Sequence, residues 1–561
     1  MVKRNAWNAV IEALEAEGVP FLFGIPGDPT LLYDALYHSK RIRAILVREE
    51  TSGIFMAMAY ARLIGKPGVC FGSPGPGMAN LIPGLMEASA ACTPVIALAS
   101  TADTRIEGMG AFQEVDQLGL VKPVTKWSIR VLHPENVPWV MRRAFSIATS
   151  GKPGPVYIEV PKNVALQPAE IPAYVPAPRP LRSAGDPEAV EAAARLLVLA
   201  KKPLIVAGGG TILSGAQEEL KALAELRSAP VMTTPSGRGS LPEDHPLSSG
   251  LVGLYFNSVG EKAYTGADLL VTVGSRNEEF QTGGWEYFPK GAKFIQIDID
   301  PFEIARNWVP DVAVVGDAKL VLGDLVAALK KVKSAGKWST VWAKKLCTEM
   351  KNYKAAVNEE CQTTQVPIRT KRVVKEINHV YGGNTVLVNE NGGQDLWSYY
   401  SPYYEVTTSE GRCVPPGEQT CMGFGVSGAI GAKLATPEKN VVCVTGDGAF
   451  QMFMKELPTA VQYKAPVTWI VLNNNSLGWI KHTKKEKLGG RFIASDFEVQ
   501  PDFVEIAKAN KCFGQRVEKP SDIRSALESA LKANRKGIPA VVDFAVDTWE
   551  YGPGFYRFHH E

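Results

Sequence analysis

Two short stretches of this 561-residue chain carry residue types suited to one piece of chemistry: Val444-Thr445-Gly446-Asp447-Gly448 and Leu472-Asn473-Asn474. They read as a strand, a glycine turn, a helix, a second strand and an Asn pair. Glycines let the backbone approach phosphate oxygens closely. Asp447 and the amide oxygen of Asn474 are hard ligands of the kind Mg²⁺ takes together with phosphate oxygens. A Gly-Asp-Gly turn by itself is as often an ordinary tight turn. The Asn pair argues for a magnesium diphosphate site, because polar residues would otherwise end a buried strand to no purpose.

A second candidate is Glu49-Glu50, where the strand-like Ile45-Leu46-Val47 meets the helix-like Thr51-Ser52-Gly53-Ile54-Phe55. Adjacent carboxylates at a helix start usually complement the helix dipole. The text that follows, from Tyr60-Ala61-Arg62-Leu63 through Cys70-Phe71-Gly72-Ser73-Pro74-Gly75-Pro76-Gly77-Met78-Ala79-Asn80, resembles the acetolactate synthase-like group of thiamin diphosphate (ThDP) enzymes. So do the diphosphate turn, the turn Gly24-Ile25-Pro26-Gly27-Asp28 and the stretch Phe112-Gln113-Glu114-Val115-Asp116.

The resemblance implies a site. Asp447, Asn474 and the carbonyl of Ser476 would hold Mg²⁺, with Gly446, Gly448, Ala449, Leu477 and Gly478 around the diphosphate. Glu50 would hydrogen-bond the aminopyrimidine, with Glu49 standing where the group often has His. Gly27, Gly77 and Asn80 would lie on the same side of the cofactor. Met422, in Gln419-Thr420-Cys421-Met422-Gly423, would wedge the cofactor into its bent form, with Gln419 facing the pyrimidine. Gln113 would stand near the substrate, and Trp479, Ile480 and His482 would reach over the thiazolium. The run Lys481–Lys487 reads either as a solvated face or as a basic flap.

The elements that must position these residues follow from hydrophobic patterning. A chain this long exceeds one core, and β-branched runs alternate with helical segments throughout, which predicts α/β domains with doubly wound parallel sheets. The proline-dense Gln167–Pro180 and a charged helical stretch from about Ala335 to Thr363 mark the joints. The expected layout is a pyrimidine-binding domain at 1–166, a central dinucleotide-like domain at 185–345, a diphosphate-binding domain at 366–548 and a tail at 549–561. The first and third blocks repeat strand, glycine turn, helix and Pro-Val strand in the same order. The central block, with Gly208-Gly209-Gly210, Gly274-Ser275-Arg276 and Asp298, resembles a domain that binds FAD, ADP or a CoA ester in some family members and nothing in others.

Apolar residues make up 45% and charged residues 21% of the chain, with a net charge of +3. That composition fits a globular protein without a nucleic-acid partner. No apolar run is long enough to span a membrane. Eight singly placed cysteines fit a reducing cytoplasm. The expected activity is decarboxylation of a 2-oxo acid with carboligation to an acceptor carbonyl, in a homodimer or homotetramer. Thr483 stands where acetolactate synthases carry Trp, and Val388-Asn389-Glu390 is similar to benzoylformate and oxalyl-CoA decarboxylases. His38 and His133 are too far apart in sequence to match the His pair of pyruvate decarboxylases. A decarboxylase of a larger 2-oxo acid, an acyl-CoA lyase and a non-catalytic cofactor-binding subunit are the competing readings.

Overall fold

Three six-stranded sheets, each wholly parallel, organise the chain into three domains in this computed structural model. The structure describes residues 3–27, 31–178, 182–332, 339–408 and 411–558. Asp28, part of the joint at 179–180, the start of the charged stretch at Ala335 and the tail end at 559–561 lie outside the described residues.

The first sheet holds β1 (Phe21–Gly24), β2 (Arg43–Leu46), β3 (Gly68–Gly72), β4 (Val95–Thr101), β5 (Trp127–Arg130) and β6 (Val156–Pro161), in the order β2-β1-β3-β4-β6-β5. The second holds β7 (Pro203–Ala207), β8 (Val231–Thr233), β9 (Ser248–Leu251), β10 (Leu269–Val273), β11 (Lys293–Asp298) and β12 (Val312–Val315), in the order β9-β8-β7-β10-β11-β12. The third holds β13 (Thr385–Asn389), β14 (Arg412–Val414), β15 (Asn440–Gly446), β16 (Thr468–Asn473), β17 (Phe513–Val517) and β18 (Ala540–Ala545), in the order β14-β13-β15-β16-β18-β17.

The first and third sheets therefore share one topology, as their sequence echo predicts. The second has the strand order of dinucleotide-binding folds, with its switch point between β7 and β10. The central strands are apolar on both faces, as a parallel sheet covered by helices on each side requires.

Helix α1 (Glu50–Ile64) of the first domain packs along helix α3 (Phe424–Ala435) of the third. Gly431 is obligatory at that crossing, because a Cβ there would collide with the Met56 carbonyl. Phe55 meets Phe424 edge-on at 5.7 Å, and one hydrophobic core runs through both domains. The first joint is not a free linker: Ala169–Glu170 pairs antiparallel with Lys3–Arg4, and Tyr174 is buried with its hydroxyl on Glu17. Among the described residues no helix is long and apolar enough to cross a membrane.

Candidate active site

Parallel pairing of β15 with β16 sets Gly446 opposite Leu472, so Asp447 and the Asn473-Asn474 pair emerge side by side beyond the carboxyl ends of the strands. That edge is where open α/β sheets bind ligands. Asp447 opens helix α4 (Asp447–Phe453), and its side chain is buried together with Asn474 and Ser476. Asn474 Oδ1 accepts the Ser476 N–H at 3.2 Å, while Asn474 Nδ2 and Ser476 Oγ are buried without a partner. An unsatisfied buried polar atom costs roughly 1–3 kcal/mol, which a bound ligand would relieve. Asp447 Oδ2 accepts Gln500 Nε2 at 2.9 Å. Burial pushes the Asp447 carboxyl up to about 7, with Gln500 pulling the other way. A Cβ on Gly448 would sit 2.9 Å from Leu477 Cδ2, so glycine keeps this wall open. An aspartate, an amide oxygen and nearby carbonyls form a donor set that suits Mg²⁺ with a diphosphate.

These residues face a cavity of about 1180 Å³, lined also by Ala449, Leu477, Gly478, Trp479, Ile480 and Met422. Met422 is presented by a loop gripped from two sides. Glu390, fully buried, accepts the Gly423 N–H at 2.9 Å and the Val426 N–H at 3.1 Å. Burial pushes its carboxyl up to about 7. Glu87, equally buried on helix α2 (Ile82–Ala90) of the first domain, accepts the N–H groups of Gly417 and, at 2.7 Å, Cys421. Asp395 lies buried beneath Gly446, and burial, with the charges of Glu390 and Asp447 nearby, pushes its carboxyl well up. Gln419 is exposed and lines an adjoining cavity of about 560 Å³ rather than the one that Met422 faces.

Glu50 opens α1 with its side chain buried, and its Oε2 accepts Asn80 Nδ2 at 3.0 Å. Thr51 Oγ1 donates to the Asn80 carbonyl at 2.6 Å and fixes that residue. A Cβ on Gly77 would fall on Ser73 Oγ and within 2.7 Å of Glu50 Oε1, and one on Gly27 would collide with Ser73. Gln113, at φ +59°, lays its backbone against Gly75. Gly27, Gly77 and Asn80 thus gather about Glu50, while Gln113 packs against Gly75. Glu49 turns away to pair with Lys455. None of the Glu50 group lines the cavity that Asp447 faces.

His482 departs from its expected place over the cavity. It is fully buried on helix α5 (Gly478–Lys487), with Nε2 on the Thr548 carbonyl and its ring 4.3 Å from Tyr551. Three residues on from Trp479 it lies on the same side of the helix, and both rings meet Phe555 of the aromatic tail, at 5.1 and 5.6 Å. The basic run is the rest of this helix: Lys481 pairs with Asp496, and Lys485 lies 4.3 Å over the Trp549 ring. Sequence reasoning missed Gln500, Glu87 and Asp395. Only the position of Asp395, five residues past Glu390, offered any signal.

From the central domain, the turns after β7 and β10 line the same large cavity at the switch point, with Ser275, Arg276 and Asp298. The glycines there serve backbone packing, since a Cβ on Gly210 would sit 2.7 Å from Gly274 Cα.

The N-terminal TPP binding domain of thiamine pyrophosphate enzymes matches residues 4–120, their central domain 190–325 and their C-terminal TPP binding domain 397–544. The probable acetolactate synthase large subunit of Methanocaldococcus jannaschii is 38% identical over 97% of this chain and 92% of its own. The acetolactate synthase of Mycobacterium leprae is 34% identical over 96% and 86%. The acetolactate synthase isozyme 3 large subunit of Escherichia coli is 32% identical over 97% and 95%. The chain belongs to the ThDP-dependent enzymes, and within them to the acetolactate synthase-like family.

Proposed function

We propose that the protein uses ThDP and Mg²⁺ to decarboxylate a 2-oxo acid and ligate its acyl carbon to an acceptor carbonyl. The observation that carries this is the buried Asp447–Asn474–Ser476 constellation, whose unpartnered Asn474 Nδ2 and Ser476 Oγ sit beside a glycine-walled cavity. Asp447, Asn474 Oδ1 and the Ser476 carbonyl would hold the metal. Backbone at Gly446, Gly448, Ala449, Leu477 and Gly478 would flank the diphosphate, and Met422 would support the ring system. When bound, ThDP supplies the electron sink that decarboxylation and carboligation require.

Glu50 would hold a proton at its carboxylate against the aminopyrimidine, oriented by Asn80, with Gly27 and Gly77 allowing close approach. Gln113 would border the substrate. Trp479 and Ile480 would exclude water from the reacting carbon. Because Glu50 does not share the Asp447 cavity, the reading needs a second copy of the chain to complete each site, in a homodimer or homotetramer. Met109 and Phe112 near the Glu50 half-site and Ile493 and Val499 near the Asp447 half-site are highly exposed, as an unpaired interface would leave them.

A second ligand, FAD or ADP, is favoured in the central domain by its strand order and by the cavity at its switch point. A flavin absorbance band in the purified protein tests FAD. The activity itself is tested by CO₂ release from pyruvate with ThDP and Mg²⁺, which EDTA should abolish.

A further inference from the structure

We propose that Glu456, a buried carboxylate of the third domain, is a positioning residue for Glu50; this rests on the role given to Glu50 in the reading above. It fixes the backbone at the entry to α1 and so sets where the Glu50 carboxylate stands.

The entry to α1 leaves backbone to be held from outside. Sheet bonding ends where the Val47 N–H meets the Gly24 carbonyl at 3.3 Å, and helical bonding begins where the Gly53 N–H meets the Glu49 carbonyl at 3.3 Å. Glu49 stands at the N-cap but makes no cap bond with its side chain. Between these points the Arg48 N–H donates to Glu456 Oε1 at 2.8 Å. A carboxylate near a helix start also complements the dipole. Glu456 is 1% exposed, and its Oε2 accepts Thr459 Oγ1 at 2.6 Å, which anchors the side chain.

The grip is wider than this one bond. The Leu46 N–H donates to the Tyr463 hydroxyl at 2.7 Å, and the Arg48 guanidinium donates to Thr459 Oγ1 and Gln462 Oε1, each at 3.2 Å. Lys455 pairs with Glu49. These partners belong to one helical run, in which α4, a 3₁₀ turn at Met454–Glu456 and the helix Leu457–Gln462 follow without a break. The segment that presents Asp447 to its cavity therefore also holds the approach to Glu50. Glu456 lines neither of the two cavities described, so it reaches the chemistry only through the residue it places. That placement is narrow: Glu50 Oε2 meets Asn80 Nδ2 at 3.0 Å, and a Cβ on Gly77 would come within 2.7 Å of Oε1. A misplacement of about 1 Å in such a group costs on the order of 100-fold in rate.

The test compares two conservative variants. Glu456→Asp keeps the charge but draws the carboxylate back from Arg48 by one carbon–carbon bond, whereas Glu456→Gln keeps an oxygen within reach. In the cofactor-free protein, amide exchange over Leu46–Ser52 should be at least about tenfold faster in Glu456→Asp than in wild type. With ThDP and Mg²⁺ bound, deuterium exchange at the thiazolium C2, followed by NMR, should slow at least about tenfold in that variant, while ThDP affinity stays within about threefold. Glu456→Gln should stay within about threefold of wild type in both exchange readings. In a Glu50→Gln background Glu456→Asp should add less than about twofold, because it acts through Glu50. Thr459→Val removes the anchor of Glu456 and should slow C2 exchange in the same direction, which decides the matter if Glu456→Asp does not fold. Amide or C2 exchange at the wild-type rate in these variants, or a full further loss in the Glu50→Gln background, overturns the positioning role. So does a fall in ThDP affinity that matches the loss of C2 exchange, which is what a merely structural role would give. C2 exchange at the wild-type rate in Glu50→Gln alone overturns instead the reading of Glu50 on which the proposal rests.

Discussion

Gln500 Nε2 donates to Asp447 Oδ2 at 2.9 Å and also reaches Asn473 Oδ1 at 3.1 Å, with its own Oε1 fixed by Gln451 at 2.9 Å. A residue from an irregular segment thus orients the carboxylate and the end of β16 together. Metal binding needs the ionised carboxylate, and burial already pushes that group up to about 7. Gln500→Leu removes the hydrogen bond that pulls it down. Mg²⁺ affinity of the variant should fall roughly tenfold, and by more at pH 6 than at pH 8. Titration of ThDP-dependent tryptophan quenching with Mg²⁺ at both pH values checks this.

Glu50 and Asn80 should separate in kinetics. Glu50→Gln should lower turnover by at least about 100-fold, the low end for loss of a positioned acid or base, while ThDP still binds. Asn80→Ala removes one charge-assisted hydrogen bond, roughly 1.5 kcal/mol or about tenfold in rate. Steady-state kinetics with calorimetric ThDP binding distinguishes the two.

Gly423 lies at φ +90°, and a Cβ there would fall inside the Phe453 ring. Gly423→Ala should cost about 3 kcal/mol, combining left-handed strain with overpacking, and should displace Met422. A lowered urea midpoint together with weaker ThDP binding is the expected pair of readings.

Glu390 makes part of the stability depend on pH. A carboxyl raised from 4.5 to about 7 holds its proton more tightly in the folded state than in the unfolded one. Its contribution is fully present below pH 4.5 and is lost as pH rises through 7, on the order of 3 kcal/mol. Glu390→Gln cannot ionise, so the thermal midpoint of the cofactor-free variant should fall less steeply between pH 5 and 8 than that of wild type. Asp447 and Glu550, also pushed up to about 7 by burial, keep some of the slope.

The residues legible in the sequence were those whose chemistry repeats along the chain. Asp447 and Asn474 stand at the ends of paired strands, so strand patterning and glycines sufficed to bring them together. The shared strand order of the first and third sheets was legible in their common glycine turn and Pro-Val strand. Gln500 reaches Asp447 across 53 residues without a regular element to carry the register. Glu87 acts across 330 residues, and nothing in Leu85-Met86-Glu87-Ala88 marks it as a clamp on the Met422 loop. His482 was misplaced because its closeness to the Asn pair was read as a place over the cavity, whereas its ring packs into the aromatic tail against Tyr551 and Phe555. Gln419 shows the same effect on a shorter scale, facing the cavity next to the one that Met422 faces.

The most direct measurement is CO₂ release from pyruvate by purified protein with ThDP, comparing added Mg²⁺, EDTA and the Asp447→Asn variant. The account predicts turnover that needs both ThDP and Mg²⁺ and drops by at least about 100-fold in Asp447→Asn. Turnover that survives EDTA, or an Asp447→Asn variant as active as wild type, would contradict it.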